Sequence, residues 1–160
     1  MGRVCSYFKS TIGQKVLVAF TGLGFTGFCI AHMSGNLLLL NGAESYNKYS
    51  HSLITNPFLY AIEIVLLGIF ITHFSLALFL AVKNRMKKGV KTQASAKNKG
   101  SSFAAKTMAY SGSLLLVFLI LHLKTFKFGT YYSVTYDGIE MRDLYRLVLE
   151  RFKEPGYVAF

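Results

Sequence analysis

The chain has no tryptophan, only two cysteines and two prolines, and few acidic residues. With one cysteine near the N-terminus and the other inside an apolar run, neither a disulfide framework nor a thiolate zinc site is supported. The sequence contains no Cys-x-x-Cys-His motif, which excludes covalent attachment of a c-type haem. The N-terminus is not expected to be a secretory signal, because its apolar run is too long and leads into no soluble domain.

Acidic residues are scarce: seven Asp and Glu stand against 18 Lys and Arg, for a net charge of +11. Such a charge is compatible with nucleic-acid binding, but its placement is not. Eight of the 18 basic residues fall between residues 83 and 106, in a stretch with no acid and a single aromatic residue, Phe103. A basic loop between apolar runs is typical of the cytoplasmic side of a membrane protein, so we expect no nucleic-acid partner.

Three long apolar runs account for most of the sequence, of which 52% is hydrophobic. They cover residues 16–40, 58–82 and 103–123, and each is long enough to cross a hydrocarbon core of about 30 Å. A soluble domain would instead space its apolar residues at periods of 2 or 3.6. The sequence therefore predicts an all-α fold, a transmembrane helical bundle in a lipid bilayer. The basic N-terminal residues predict a cytoplasmic N-terminus.

The segments between the runs are less informative. Residues 41–57 are expected to form a loop with tyrosines at the membrane interface. Within residues 129–156, several apolar residues recur at helical spacing and predict an amphipathic helix: Ile139, Met141, Leu144, Tyr145, Val148 and Phe152. The run that begins at Gly156 resembles the first turn of a fourth span. Residues 1–160 are therefore expected to form one membrane domain that is incomplete at its C-terminus.

Each apolar run carries one histidine, His32, His73 and His122. A single membrane histidine can simply hydrogen-bond across helices. Three spans with one histidine each favour a shared ligand, because ionisable groups inside a membrane are expensive to keep. Bis-histidine haem is such a ligand, since helix bundles hold cofactors between side chains of facing helices.

The depth of the histidines predicts how they pair. At a rise of about 1.5 Å per residue, His32 and His122 both lie about 24 Å above the cytoplasmic ends of their spans, and His73 about 15 Å. The sequence therefore pairs His32 with His122 and leaves His73 to a partner beyond Phe160. Small residues on the same helical strip as His32 are expected to let a flat macrocycle or a second backbone approach: Gly24, Ala31 and Gly35, with Phe28 beside them.

Glu63 is the one acid inside an apolar run. At about 30 Å above Lys83 it lies near the outer level. Two interpretations stay open: a carboxylate that reaches the interface, or a proton acceptor at a quinol site beside the outer haem. His51 is interpreted as a surface residue of a loop or, alternatively, as a neighbour of a haem propionate or a quinone.

Several of these segments together resemble the cytochrome b subunit of succinate:quinone oxidoreductases. They are His32-Met-Ser-Gly-Asn-Leu-Leu, Tyr46-Asn-Lys-Tyr-Ser-His51, Asn56-Pro57 and the span that contains Thr72-His73. More narrowly, the chain resembles the bacterial single-anchor, two-haem type found in succinate dehydrogenase and fumarate reductase. The resemblance covers essentially the whole chain.

The resemblance implies five transmembrane helices around two stacked b haems. It implies that His32 and His122 ligate the distal haem iron and that His73 ligates the proximal one. It also implies a flavoprotein and an iron–sulfur subunit on the cytoplasmic face of the bacterial inner membrane. Electrons would pass between succinate or fumarate and a quinone, with menaquinone expected. The dicarboxylate chemistry would occur on the flavoprotein, and Glu63 would accept a proton from quinol.

Two alternatives stay open. The chain could be the cytochrome b anchor of another membrane dehydrogenase, such as a formate or hydrogenase system. It could also be a haem-free membrane anchor or transporter fragment. A b-type absorption band separates haem from no haem.

Overall fold

The structure, a computed structural model, describes residues 6–8, 10–88 and 103–158. It is 82% helical, which confirms the predicted fold class, and a small two-stranded sheet is the exception. The helices are α1 (Thr11–Asn36), α2 (Ala43–Ile54), α3 (Phe58–Lys88), α4 (Phe103–His122), α5 (Leu144–Phe152) and α6 (Pro155–Val158). A 3₁₀ turn, Leu37–Asn41, follows α1, and a π-helical turn, Leu123–Lys127, follows α4.

Three of these helical segments are long and apolar enough to cross a membrane: Thr11–Asn41, Phe58–Lys83 and Thr107–Lys127. Almost none of their length is buried inside the protein. Helices satisfy their own backbone hydrogen bonds, so apolar helices with exposed side chains are stable where lipid surrounds them. The architecture indicates a membrane-embedded, multi-pass protein.

The described residues divide into two compact units. The first unit comprises the described parts of Met1–Ala31 and Tyr60–Ser101, which contain most of α1 and α3. Phe25 of α1 meets Phe70 of α3 with ring centroids 6.4 Å apart. Nearer the N-terminal end of α1, Lys83 Nζ donates to Thr11 Oγ1 at 3.2 Å.

The second unit comprises His32–Leu59 and the described part of Ser102–Phe160. Its strands, β1 (Ser133–Tyr136) and β2 (Ile139–Arg142), form an antiparallel hairpin in which Val134 pairs with Met141. The hairpin and α5 pack against α2. We call α2, the hairpin and α5 the cap.

Two sequence-based expectations for the cap are wrong. Residues 41–57 contain the helix α2 and are not simply a loop. Ile139 and Met141 lie on a β-strand, so the amphipathic helix is confined to Leu144–Phe152. The cause is the dipeptide Asp137-Gly138, whose positive φ angles of 52° and 78° build a tight hairpin turn. Asp-Gly is a strong hairpin signal because few other residues adopt that backbone at both positions.

The core of the cap is small but fully closed. Leu147 and Asn47 have no exposed surface, and Tyr46 and Met141 are nearly as buried. Full burial of a leucine side chain contributes about 1.5–3 kcal/mol. In the described part of the spans, Leu80 of α3 is the one large hydrophobic side chain that is buried.

Asn47 joins α2 to the first turn of α5. Its Nδ2 donates to Oδ1 of Asp143 at 2.9 Å, and its Oδ1 accepts from the Tyr145 backbone N–H at 3.0 Å. Asp143 is the N-cap of α5, where its Oδ1 also accepts from the Arg146 N–H at 3.0 Å. Two N–H groups at the start of α5, which have no partner within the helix, thus find acceptors: one is the N-cap residue Asp143 and the other is Asn47 of α2.

Lys48 links the hairpin turn to α2 at the surface. Its Nζ lies 2.6 Å from Glu44 and 2.5 Å from Asp137. Hydrogen bonds to Asp137 and Glu44 raise the pKa of Lys48 above its usual range, so the amine stays charged. Because the groups are solvent-exposed, these ion pairs contribute little to stability, and the buried Asn47 contacts matter more.

At the C-terminus the sequence predicts the first turn of a fourth span, and this stays a prediction. Residues Pro155–Val158 form a single helical turn, and the Tyr157 hydroxyl in this turn is hydrogen-bonded to the hydroxyl of Thr125 in the π-helical turn. Residues 159 and 160, and the central part of the basic stretch at 89–102, lie outside the described residues.

Candidate functional site

His32 and His122 lie next to each other in the second unit. Their ring centroids are 5.7 Å apart and their ring planes are inclined by 78°. His32 comes from the last turns of α1 and is exposed, whereas His122 ends α4 and is half-buried. The structure therefore brings together the two histidines that the helical rise placed at one depth. Their role as haem ligands stays a prediction.

Aromatic side chains of its own helix flank His122. Phe118, one turn before it, lies 5.5 Å away with its ring at 29°, and Phe126, one turn after it, lies 5.1 Å away. Immediately after His122 the helix changes into the π-helical turn. Such turns are rare and occur frequently at functional sites. The imidazole is thus held between two rings where the helix geometry changes.

Two tyrosines of α2 contact the last turn of α1, next to His32. The Tyr46 hydroxyl donates to Asn36 Oδ1 at 2.7 Å, and Asn36 Nδ2 donates to the His32 carbonyl at 2.8 Å. Burial, and to a smaller extent Tyr49, raise the pKa of Tyr46, so its hydroxyl stays protonated and able to donate. The cap therefore determines how this end of α1 is held.

The space beside Gly35 is filled by the side chain of Tyr49. A Cβ at this position would lie 2.6 Å from the Tyr49 hydroxyl oxygen, so the tyrosine fills the space that the glycine leaves. The sequence leaves that space to either a flat macrocycle or a second backbone. At Gly35 the close approach is made by a side chain of another helix, Tyr49 of α2.

His73 lies against one turn of α1 in the first unit and is half-buried. Thr21 Oγ1 is 2.9 Å from its Nδ1, and the Phe25 ring meets the imidazole edge-on at 5.6 Å. A Cβ on Gly22 would approach His73 Cε1 to 3.3 Å. Small residues permit such close approach between membrane helices. Thr21, Gly22 and Phe25 thus form a cradle for one imidazole.

The donor set determines which metal group fits beside His32 and His122. In the described part of the chain, no three His, Cys, Asp or Glu side chains converge on a point where they could bind a metal ion. A structural zinc ion takes four protein ligands, so two imidazoles do not complete such a site. Haem would bring most of the iron's ligands itself and would need no more than two side chains from the protein. His32 and His122 come from different helices with their rings 5.7 Å apart, and two such imidazoles are a donor set that haem iron could take.

The two remaining candidate residues are Glu63 and His51. Glu63 is half-buried on α3, in the first unit. His51, expected in a loop, lies on α2 and is half-buried. It lines a cavity of about 280 Å³ between α2 and the hairpin, together with residues that include Tyr131, Glu140 and Arg142.

Several positioning residues were not found by sequence reasoning. Asp143 carried a usable signal, because an acid immediately before an amphipathic helical run is typical of an N-cap. The Asp137-Gly138 hairpin carried one as well. Thr21 and Asn47 carried none, since their partners are 52 and 96 residues away along the chain.

Comparison with known proteins adds no further ground for a functional assignment. A functional assignment therefore depends on two observations: the geometry around the three histidines and the sequence resemblance. The chain matches no family model, no curated protein and no solved structure.

Proposed function

We propose that this chain is a haem b-binding membrane anchor that carries electrons between a succinate dehydrogenase or fumarate reductase and a membrane quinone. The observation that carries the haem assignment is the approach of His32 and His122, from different helices, to a ring separation of 5.7 Å. The assignment to a succinate- or fumarate-linked complex follows from the resemblance of the His32 segment and the stretch after it.

The three histidines would hold one b haem between two imidazoles and supply one ligand to a second b haem. His32 and His122 supply the imidazoles for one, and His73 supplies an imidazole for the other. Haem iron, when bound, takes up and releases one electron at a time. The protein contributes neutral nitrogen ligands, and it flanks His122 with Phe118 and Phe126. These rings keep the imidazole oriented and lower the polarity around it.

The partners follow from the same proposal. A flavoprotein and an iron–sulfur subunit would bind the cytoplasmic face, to which the basic stretch between Lys83 and Lys106 contributes. The chain would lie in the bacterial inner membrane with its N-terminus in the cytoplasm. Menaquinone or another quinone would be the membrane substrate, and Glu63 would accept a proton from the quinol.

A reduced-minus-oxidised absorption spectrum tests the haem assignment. The protein purified from its native membranes is expected to show a b-type α-band with two haems per polypeptide. Adding succinate, formate or hydrogen to those membranes then identifies the donor, and succinate is expected to reduce the band. A spectrum without a b-type band would exclude the proposed function, whereas reduction by formate or hydrogen alone would assign the anchor to another dehydrogenase.

Replacing Glu63 by glutamine is expected to slow quinol oxidation about 100-fold and to leave both haems in place. Glutamine keeps the size of the side chain but cannot accept a proton, and general bases contribute about 10²–10⁴ in rate. The measurement is quinol-dependent haem reduction followed by stopped-flow absorption. Glu44→Gln, at an exposed acid that pairs with Lys48, is the control. A wild-type rate in Glu63→Gln would remove Glu63 from the site.

A further inference from the structure

The hydrogen bond between Thr21 and His73 determines where the imidazole proton lies. Thr21 Oγ1 has three neighbours: the Leu17 carbonyl at 2.8 Å, the Val18 carbonyl at 3.0 Å and His73 Nδ1 at 2.9 Å. A hydroxyl group has one proton to donate and two lone pairs with which to accept. Carbonyl oxygens can only accept. The single hydroxyl proton therefore cannot be donated to all three neighbours at once.

Only one arrangement satisfies all three contacts. If the hydroxyl donates towards the carbonyls of the preceding turn, Oγ1 is left to accept, and Nδ1 must carry the hydrogen. If the hydroxyl donated to Nδ1 instead, two oxygen atoms would face each other at 2.8 Å with no proton between them. That contact is repulsive. The geometry thus favours the His73 tautomer with its proton on Nδ1.

We propose that Thr21 is a positioning residue for His73: it holds the tautomer in which Nε2 carries the lone pair, and so selects Nε2 as the iron-binding nitrogen. This inference rests on the proposed function, because it takes His73 to be a haem ligand. A ligating histidine commonly donates its other N–H to a fixed acceptor, which fixes its tautomer and ring orientation and makes the ligand more basic. Thr21 is that acceptor here.

The other residues of the cradle support the same role. Gly22 lets the imidazole lie close enough to α1 for the Thr21 contact to form, since even a Cβ would come within 3.3 Å of Cε1. Phe25 meets the ring edge-on, at an interplanar angle of 87°. The two contacts restrict rotation of the imidazole about its side-chain bonds. Nδ1 therefore stays directed at Thr21.

Three variants separate the hydroxyl from the shape of the side chain. Thr21→Val keeps the branched shape and removes the hydroxyl, and Thr21→Ser keeps the hydroxyl. Thr26→Val is the matched control, because Thr26 lies on the same helix and its hydroxyl donates to the Gly22 carbonyl at 3.1 Å. The protein is purified from its native membranes. Haem per polypeptide, the ferric low-spin EPR spectrum and the midpoint potential of each haem are then measured.

Thr21→Val is expected to weaken binding of the His73-dependent haem by about 10- to 100-fold, the usual effect of losing an outer hydrogen-bond partner. In the fraction that retains this haem, the midpoint potential is expected to move upward, because a less basic imidazole stabilises ferric iron less. Thr21→Ser and Thr26→Val are expected to match the wild type. The haem that depends on His32 and His122 is expected to remain in every variant, which shows that the protein is folded.

The outcomes distinguish this inference from the proposed function. A wild-type protein without haem overturns the proposed function, and the role of Thr21 with it. Two haems in the wild type with an unchanged Thr21→Val variant overturn the role of Thr21 alone. A Thr21→Ser variant that behaves like Thr21→Val also overturns it, since the hydroxyl would then not be the group that acts.

Discussion

Replacing His32 or His122 by alanine is expected to remove the same b haem, and to halve the haem content from two to one per polypeptide. Under the proposed function, each substitution would take away one of the two imidazoles that hold this haem, and no third His, Cys, Asp or Glu of the described chain lies where it could substitute. His73→Ala is expected to remove the other haem. The loss is measured as pyridine haemochrome per polypeptide and as two resolved α-bands in low-temperature difference spectra.

His51→Ala is the control for these three variants. His51 is half-buried on α2 and lines the cavity of the cap rather than a histidine pair, so both haems are expected to remain. If His32→Ala and His122→Ala removed different haems, the pairing proposed from the 5.7 Å ring separation would be wrong. A protein that kept both haems in all three variants would show that these histidines are not axial ligands.

Replacing Asn47 by alanine is expected to destabilise the cap by about 2–3 kcal/mol. The substitution removes the acceptor of the Tyr145 N–H and the amide that donates to Asp143, both inside a closed core. A buried donor left without a partner keeps its desolvation penalty, which makes this loss larger than that of an exposed hydrogen bond. The start of α5 is therefore expected to open more often.

Hydrogen–deuterium exchange measures this opening directly, because amide exchange reports local unfolding. Peptides that cover Leu144–Phe152 are expected to exchange about 30- to 140-fold faster in Asn47→Ala, as a tenfold change corresponds to 1.4 kcal/mol. Ser52→Ala, at an exposed position of the same helix, is expected to change exchange by less than threefold, since surface substitutions usually stay within about 0.5 kcal/mol. Equal exchange in Asn47→Ala and the wild type would show that the buried amide does not hold the cap.

The three spans could be predicted from the sequence because hydrophobic length is a local property. Continuous apolar runs of about 20 residues have few alternatives to crossing a membrane. The observed segments Thr11–Asn41 and Phe58–Lys83 contain the predicted runs. The cap could not be predicted in the same way. Ile139 and Met141 fit helical spacing, yet the turn at Asp137-Gly138 places them on a strand.

The helical class, the membrane-spanning segments and the positions of the three histidines along their helices can be predicted without the structure. The reason is that hydropathy and the constant helical rise act along the chain. Which atoms meet depends on how the helices pack. The packing brings together the rings of His32 and His122, the Thr21 hydroxyl and His73 Nδ1, and the Asn47 amide and Asp143. These contacts join residues that are 52 to 96 positions apart along the chain, and only the packing of whole helices brings them within a few ångströms.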